Sequence, residues 1–278
     1  MLNKIVFYTL IGCAITNSCR AGGPWAQGKG NGFVQLGFSS INYKNVFDTD
    51  GKGRDAFGRF QDVTFQLYSE LGLTKRLTLK LIAPYKYLSG ESSNLSYSKQ
   101  SLQGAGNIVL GASYLFVDKK IKIAARLEIA SRGKKDDNNP SFYNLKTGYT
   151  DAEVSPYISI GASSNKYYWY SDIGAGLTKN SVFKFYGEAG YSIFKKLKAA
   201  IVVDTRIPFQ TDSTIAMQPA QTPTSFLYDP FQQYIGVGLK LIYTYKEKYG
   251  ITASAFGAVS AKRIAEAPAY NVGLFYKW

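Results

Sequence analysis

The feature that most constrains this chain is an alternation of apolar and polar residues with a period of two, repeated from about residue 32 to the last residue. Near the C-terminus, for example, five apolar residues share one face of an extended chain: Tyr270, Val272, Leu274, Tyr276 and Trp278. Successive side chains of a β-strand point to opposite faces, so this period predicts strands with one apolar and one polar face. Twelve stretches show it, at 32–43, 60–72, 77–88, 106–117, 121–131, 150–163, 167–178, 182–193, 197–208, 229–245, 250–260 and 267–278.

The eleven connections between these stretches are of two main kinds, with two further short ones at 179–181 and 261–266. Five are tight and polar, at 73–76, 118–120, 164–166, 194–196 and 246–248. Four are long and rich in Asp, Asn, Gly, Ser, Thr and Pro, at 44–59, 89–105, 132–149 and 209–228. An even number of antiparallel strands, with short turns at one end and long loops at the other, is typical of bacterial outer-membrane barrels. We therefore predict an all-β, single-domain, twelve-stranded antiparallel transmembrane β-barrel over residues 22–278, in which a Gly-rich arm at 22–31 either hangs in the periplasm or folds into the lumen.

A soluble β-sandwich is the alternative, because its strands also alternate and are separated by regular turns. Two observations favour the membrane barrel. The stretches are longer than the roughly 5–6 residues usual in soluble sheets. Many apolar faces also end in Tyr or Trp, as the aromatic girdles at membrane interfaces do: Tyr85, Tyr114, Trp169, Tyr191, Tyr243, Tyr276 and Trp278.

The N-terminal 21 residues have the pattern of a secretory signal peptide. Lys4 gives a basic head, residues 5–15 are mostly apolar, and small residues precede Gly22. We predict cleavage after Ala21 and export from the cytoplasm. A lipoprotein-type site at Cys13 is a second possibility, because residues 10–13 read Leu-Ile-Gly-Cys.

The chain contains no histidine, and its two cysteines are Cys13 and Cys19. This composition excludes Ser-His-Asp and Cys-His catalysis, His-ligated metals and a Cys-based zinc site in the body of the chain. We predict no enzymatic activity, no cofactor and no metal.

The charged residues of the polar faces are the candidate functional residues. They are the acidic Asp62, Glu70, Glu128, Asp151, Glu153, Asp172, Glu188 and Asp204, and the basic Lys80, Lys86, Lys122, Arg126, Lys184, Lys198, Arg206 and Lys240. Unpaired charges in a narrow barrel are costly, so we expect them to pair. Glu70 and Lys80 flank the turn at 73–76 and are expected to face each other, with Glu128 and Arg126 one hairpin further along. Such pairs either stiffen a closed wall or line a polar conduit.

Three segments resemble a known family. Residues 22–30 (Gly-Gly-Pro-Trp-Ala-Gln-Gly-Lys-Gly), residues 67–77 with Ala83-Pro84-Tyr85, and residues 104–114 are similar to the outer-membrane channel family labelled "MetA-pathway of phenol degradation". The resemblance covers mainly residues 22–130. It implies a transport channel, in some members linked to the uptake of hydrophobic or aromatic compounds, and it carries over no ligand or catalytic residue.

These patterns predict a passive, porin-like channel in the outer membrane of a Gram-negative bacterium, taking small solutes that include hydrophobic or aromatic ones. The alternative is a non-transporting structural or adhesion barrel with a salt-bridged, closed lumen. The terminal alternating strand, with Tyr270, Val272, Leu274, Tyr276 and Trp278, resembles the signal read by the barrel-assembly machinery. The excess of 33 basic over 19 acidic residues favours contact with anionic lipid or lipopolysaccharide rather than nucleic acid, for which no stacking platform is evident.

Overall fold

The computed structural model describes residues 22–92, 99–135, 143–210 and 225–278, so the predicted signal peptide at 1–21 lies outside the described residues. Within them, one antiparallel sheet contains every named strand. In chain order the strands are β1 Gly32–Phe47, β2 Gly53–Gly72, β3 Leu77–Ser92, β4 Gln100–Ala105, β5 Val109–Asp118, β6 Ile121–Ala130, β7 Glu153–Ser163, β8 Tyr167–Gly176, β9 Val182–Phe194, β10 Leu197–Pro208, β11 Gln233–Tyr245, β12 Tyr249–Lys262, β13 Ile264–Ala265 and β14 Ala269–Lys277.

The sheet closes on itself at β1. This strand pairs with β2, its neighbour in sequence, and residues 33–41 also pair with β14 at the other end of the chain. The strands β4 and β5 share one position beside β3, and β13 and β14 share one position beside β1. The result is a closed barrel with twelve strand positions, which confirms the predicted fold. Closure leaves the described strands with no long sheet edge of unpaired backbone groups.

The outer wall of the barrel is apolar. Leu36, Leu239 and Leu274 are 60–67% exposed, although a water-soluble sheet would bury such residues against a second layer. Several residues of the predicted aromatic girdle are exposed on this wall as well: Tyr85, Tyr114, Trp169, Tyr191, Tyr243 and Trp278. The exposed apolar band is the surface that a lipid bilayer requires.

Among the described residues, no helix is both long enough and apolar enough to cross a membrane.

The two ends of the barrel differ, and we call them the turn end and the loop end. The turn end carries the tight connections, at 73–76 for example, together with the start of β1 and the end of β14. The loop end carries the longer connections, parts of which, at 93–98, 136–142 and 211–224, lie outside the described residues.

The prediction of a long loop at 44–59 was wrong. The first two strands continue to Phe47 and from Gly53, past a register shift between Tyr43 and Asn45, and leave only a short turn. The apolar–polar alternation fades there because β1 and β2 extend with mixed residues on both faces. The turn is held by the buried carboxylate of Asp48, which accepts hydrogen bonds from the backbone N–H groups of Asp50 and Lys52 at 2.8 Å.

Candidate functional site: the lumen

The interior of the barrel contains a cavity of about 550 Å³ that is lined chiefly by charged and tyrosine side chains. Six tyrosines contribute to its wall: Tyr68, Tyr149, Tyr157, Tyr170, Tyr186 and Tyr234. Eight of the predicted lumen residues also line it: Lys80, Arg126, Glu128, Asp172, Lys184, Asp204, Arg206 and Lys240. The polar faces of β2, β3 and β6–β11 bring these side chains together, since alternate residues of each strand point inward.

Five further predicted residues lie inside the barrel beside the cavity. Four are buried or nearly so and pair with other lumen groups: Asp62, Lys86, Glu153 and Glu188. The fifth, Glu70, is buried near the turn end and holds the arm at 22–31, as described below.

The three remaining predicted residues lie away from the cavity lining. Lys122 is at the turn end of β6, where it pairs with the half-exposed Asp118 at the end of β5. Lys198 is at the turn end of β10, with its ammonium group over an aromatic ring. Asp151 differs from the expectation, because the strand predicted from residue 150 begins only at Glu153. It belongs to the segment that precedes the wall.

One chain of ion pairs joins residues of β3, β6 and β8 across the intervening strands β5 and β7. Lys80 Nζ lies 2.5 Å from Glu128 Oε1, and Arg126 Nε lies 2.8 Å from the same oxygen. Arg126 Nη1 in turn lies 2.8 Å from Asp172 Oδ2, and its guanidinium stacks over the ring of Tyr157 at 4.4 Å. The charges of the two carboxylates and the two cations balance, and this pairing offsets the free-energy cost of burying them.

A second group of ion pairs joins β7, β9 and β10. Glu153 pairs with Lys184 and lies 3.5 Å from Arg206 Nη1. The Arg206 guanidinium also lies 4.0 Å from the ring centre of Tyr149. Tyr149 belongs to the segment before β7, and burial raises its pKa to about 12 even though Arg206 acts to lower it. Its hydroxyl therefore stays protonated and donates to Gln232 at 2.8 Å.

Glu188 forms a third polar centre, near the turn end. Its carboxylate lies 3.0 Å from Lys240 Nζ and accepts hydrogen bonds from the hydroxyls of Tyr168 at 2.6 Å and Tyr186 at 2.7 Å. Tyrosine hydroxyls thus serve as donors to carboxylates in the lumen. The rings that carry these hydroxyls occupy part of the lumen.

A fourth centre lies toward the loop end. Lys86 Nζ is 3.2 Å from Asp62 Oδ2, and the hydroxyl of Tyr228 donates to the same carboxylate oxygen at 2.6 Å. Burial and the adjacent Asp62 charge raise the pKa of Tyr228 well above its usual value, so this hydroxyl remains a donor. Tyr228 comes from the loop that precedes β11, so this contact fixes a loop to the inner wall.

The expected pair between Glu70 and Lys80 is not present. The two residues do face each other in the β2–β3 register, as the sequence suggests. The Lys80 ammonium, however, lies on Glu128 of β6. Gly111 of β5 stands between Lys80 and Glu128 in the register and has no side chain, so the lysine reaches across it to β6. Glu128 also forms part of a larger ion-pair chain. Glu70 is left to a different set of partners.

The arm at 22–31 turns into the barrel at the turn end, so that residues 23–25 are buried while residues 29–31 stay exposed. Trp25 is only 8% exposed and packs edge-on against Tyr168 at 6.4 Å and Tyr170 at 5.4 Å between ring centres. Pro24, beside it, is fully buried. The arm therefore fills part of the lumen that an open pore would leave to water.

Hydrogen bonds fix the arm to β2 and β3. The backbone N–H of Gly22 donates to Glu70 Oε1 at 2.8 Å, and the side-chain amide of Gln27 donates to the other carboxylate oxygen. The backbone N–H of Gln27 donates to the hydroxyl of Thr78 at 3.1 Å. The arm is thus seated by specific donors rather than by apolar packing alone.

At the loop end, two segments fold inward. Tyr143 and Leu145 of one, and Leu227 of the other, pack with wall residues such as Phe60 and Leu88 in a buried apolar cluster. The hydroxyl of Tyr143 accepts a hydrogen bond from the N–H of Ser92 at 3.0 Å, and the carbonyl of Tyr143 accepts one from the N–H of Ser225 at 2.8 Å. The cavity thus lies between the arm and these two segments.

Sequence reasoning missed these loop-end residues because it assigned 132–149 and 209–228 to solvent. A signal was present, since Tyr143, Leu145 and Leu227 are apolar or aromatic residues inside otherwise polar loops.

Comparison by sequence finds nothing, because no protein-family profile and no curated protein matches this chain. Comparison by structure does find similar folds. The COG4313 outer-membrane channel from Pseudomonas putida F1 superposes with a TM-score of 0.70 over 93% of this chain and 99% of its own, at 11% identity. The KdgM porin superposes with a TM-score of 0.50 over 88% of this chain and 99% of its own, at 10% identity.

At these identities the likeness shows a shared fold: this chain has the barrel of outer-membrane channels and porins. The resemblance to the phenol-degradation channel family stays a prediction.

Proposed function

We propose that this protein is an outer-membrane channel through which small solutes pass passively. The observation that carries the proposal is the cavity, lined by charged and tyrosine side chains, inside a closed barrel whose outer wall is apolar. An apolar outer wall is enough to place a barrel in a membrane. An interior with room for water adds a route by which solutes can cross that membrane. The likeness to an outer-membrane channel supports the same reading.

The lining supports aromatic compounds as one class of solute. Six tyrosine rings face the cavity, and aromatic rings stack favourably against one another at centre distances of about 4.5–7 Å. The resemblance to a family linked with aromatic uptake points the same way. Balanced ion pairs on the wall give solutes of either charge little overall advantage.

The proposed location implies several partners. The apolar wall would contact lipid, and basic residues of the turns and loops would contact anionic head groups or lipopolysaccharide. The terminal strand places Tyr270, Val272, Leu274 and Trp278 on the outer wall, with more than two fifths of each side chain exposed. There they form a stripe that the barrel-assembly machinery could read during insertion.

A structural barrel without transport is the second candidate, and one observation favours it. Ion pairs link strands along the inner wall of the lumen, and the arm and the loop-end segments occupy the two ends of the barrel. Such an interior stiffens a barrel whether or not solute passes.

Planar-bilayer recording separates the two candidates. We expect a small, steady conductance for the wild type and a several-fold larger one when residues 22–29 are deleted, because the arm fills the lumen. As a control, Lys246→Gln in an exposed turn should leave conductance unchanged. In the armless barrel, Lys80→Glu should shift selectivity toward cations, since it changes a wall charge by two units. If wild type and armless barrel are both silent, the channel proposal fails and the structural barrel is favoured.

A further inference from the structure

Glu70 is a buried carboxylate whose partners in the structure are neutral. It is 5% exposed and accepts hydrogen bonds from the N–H of Gly22, the amide of Gln27 and the hydroxyl of Tyr68. Buried carboxylates are normally paired with a cation, because an isolated buried charge is costly. No ion pair involving Glu70 occurs among the described residues.

The cation that the sequence offers to Glu70 is engaged elsewhere. Lys80 faces it across the β2–β3 register but lies 2.5 Å from Glu128. Glu128 is itself linked through Arg126 to Asp172, so Lys80 completes the balance of that ion-pair chain. Within the part of the chain that the structure describes, Glu70 therefore has no charged partner where the arm lies in the lumen.

The signal-peptide pattern of the sequence, which is independent of this geometry, predicts a new positive charge beside Glu70. The small residues up to Ala21 predict signal-peptide cleavage immediately before Gly22. Hydrolysis of the Ala21–Gly22 peptide bond adds one water, leaving a carboxylate on Ala21 and an ammonium group on Gly22. The nitrogen that would carry this charge is the one that lies 2.8 Å from Glu70 Oε1.

We infer that Glu70 is the binding site for the α-ammonium group of Gly22, so that signal-peptide removal creates the ion pair that seats the arm in the lumen. The inference rests on the proposed export to the outer membrane. Before cleavage the Gly22 nitrogen is an amide with one N–H, whereas after cleavage it carries a positive charge and three donors. Charge-assisted hydrogen bonds are roughly twice as strong as neutral ones.

The local backbone fits this role. Gly22 and Gly23 have φ angles of +81° and +71°, a region that side-chain-bearing residues rarely adopt. A Cβ on Gly23 would lie 2.8 Å from ring atoms of both Trp25 and Tyr170. The Gly-Gly pair thus lets the chain turn so that the new terminus points at Glu70 while Trp25 remains packed.

The test combines mass spectrometry with amine acetylation. The barrel is purified from outer membranes, and its N-terminal peptide is identified by mass. It is then treated near pH 7 with the N-hydroxysuccinimide ester of acetic acid, which favours α-amines because their pKa of about 7.7–8.0 lies below that of lysine. We expect a terminus at Gly22 that is acetylated at least about tenfold more slowly in the folded barrel than in urea, consistent with a charge-assisted contact.

The matched variants are Glu70→Gln and Glu247→Gln, the latter in an exposed turn. Glu70→Gln should acetylate several-fold faster than the folded wild type, while Glu247→Gln should retain full protection. A terminus other than Gly22, equal rates in folded and unfolded wild type, or full protection in Glu70→Gln would each overturn the inference. If Glu70→Gln fails to fold, the terminus and the wild-type rates still decide. Protection of Gly22 in a barrel that conducts no ions would sink the channel proposal alone.

Discussion

At the scale of single residues, the lumen shows how far a pattern of alternation reaches. Alternation predicts that Lys80, Arg126 and Glu128 point inward, and the structure places all three on the cavity wall. It does not predict their partners, because a long side chain can also reach across a neighbouring strand where that strand carries a glycine, as Gly111 of β5 does. Lys80 therefore pairs across to β6 rather than with Glu70, which faces it on β2.

Replacing Lys80 should lower the free energy of unfolding more than replacing Lys122 at the turn end of β6. We expect Lys80→Met to lower the free energy of unfolding by about 1–3 kcal/mol, because Glu128 stays buried and loses one of two cationic partners. The matched control is Lys122→Met, whose pair with the half-exposed Asp118 should contribute about 0–1 kcal/mol. Urea unfolding in detergent, followed by heat-modifiable gel mobility, measures both. Equal losses would show that the lumen pair has no special weight.

At the scale of elements, the strands were predictable and the pieces inside the barrel were not. The apolar–polar alternation predicted the strands of the wall, because every wall strand has one face toward lipid and one toward the lumen. The arm at 22–31 and the inward segment with Tyr143 and Leu145 follow no period, since their side chains pack in all directions. The extension of β1 to Phe47 escaped prediction for a related reason: beyond the apolar band, a strand can carry mixed residues.

The terminal strand β14 closes the ring, and its last residues should be sensitive to change. Backbone hydrogen bonds of 3.2 Å join Trp278 to Gly32 in both directions, and the Trp278 ring stacks on Tyr276 at 6.0 Å. Deleting Trp278, or Tyr276→Asp, should reduce the heat-modifiable folded barrel in outer-membrane fractions several-fold.

Phe209→Asp provides the control for this prediction, because Phe209 is also an exposed aromatic residue but follows the end of β10. Its folded amount should stay near that of the wild type. Unchanged amounts for both terminal variants would mean that the C-terminal stripe plays no part in assembly or closure.

At the scale of the whole molecule, the even number of strand positions puts both ends of the barrel-forming chain on one side. We expect the turn end to face the periplasm and the loop end to face outward. A cysteine that reports on the loop end could be placed at Asn138 of a long loop, but this residue lies outside the described residues. We therefore choose Lys52, which is exposed in the β1–β2 turn. Lys119, in the turn after β5, is its counterpart at the turn end.

Single cysteines test this orientation, because the two native cysteines lie within the first 19 residues. On intact cells, a membrane-impermeant thiol reagent should label Lys52→Cys. It should reach Lys119→Cys only after the outer membrane is permeabilised. The opposite pattern would show that the barrel is inserted the other way round.

The position of Trp25 also gives the molecule an optical reporter of its own. The chain has three tryptophans, of which Trp169 and Trp278 are 42% and 44% exposed on the outer wall and Trp25 is enclosed by the lumen. Brominated lipids quench fluorescence on contact and would silence the outer two. The light that remains would come from the arm, so its colour and intensity would follow the arm into and out of the barrel without an added label.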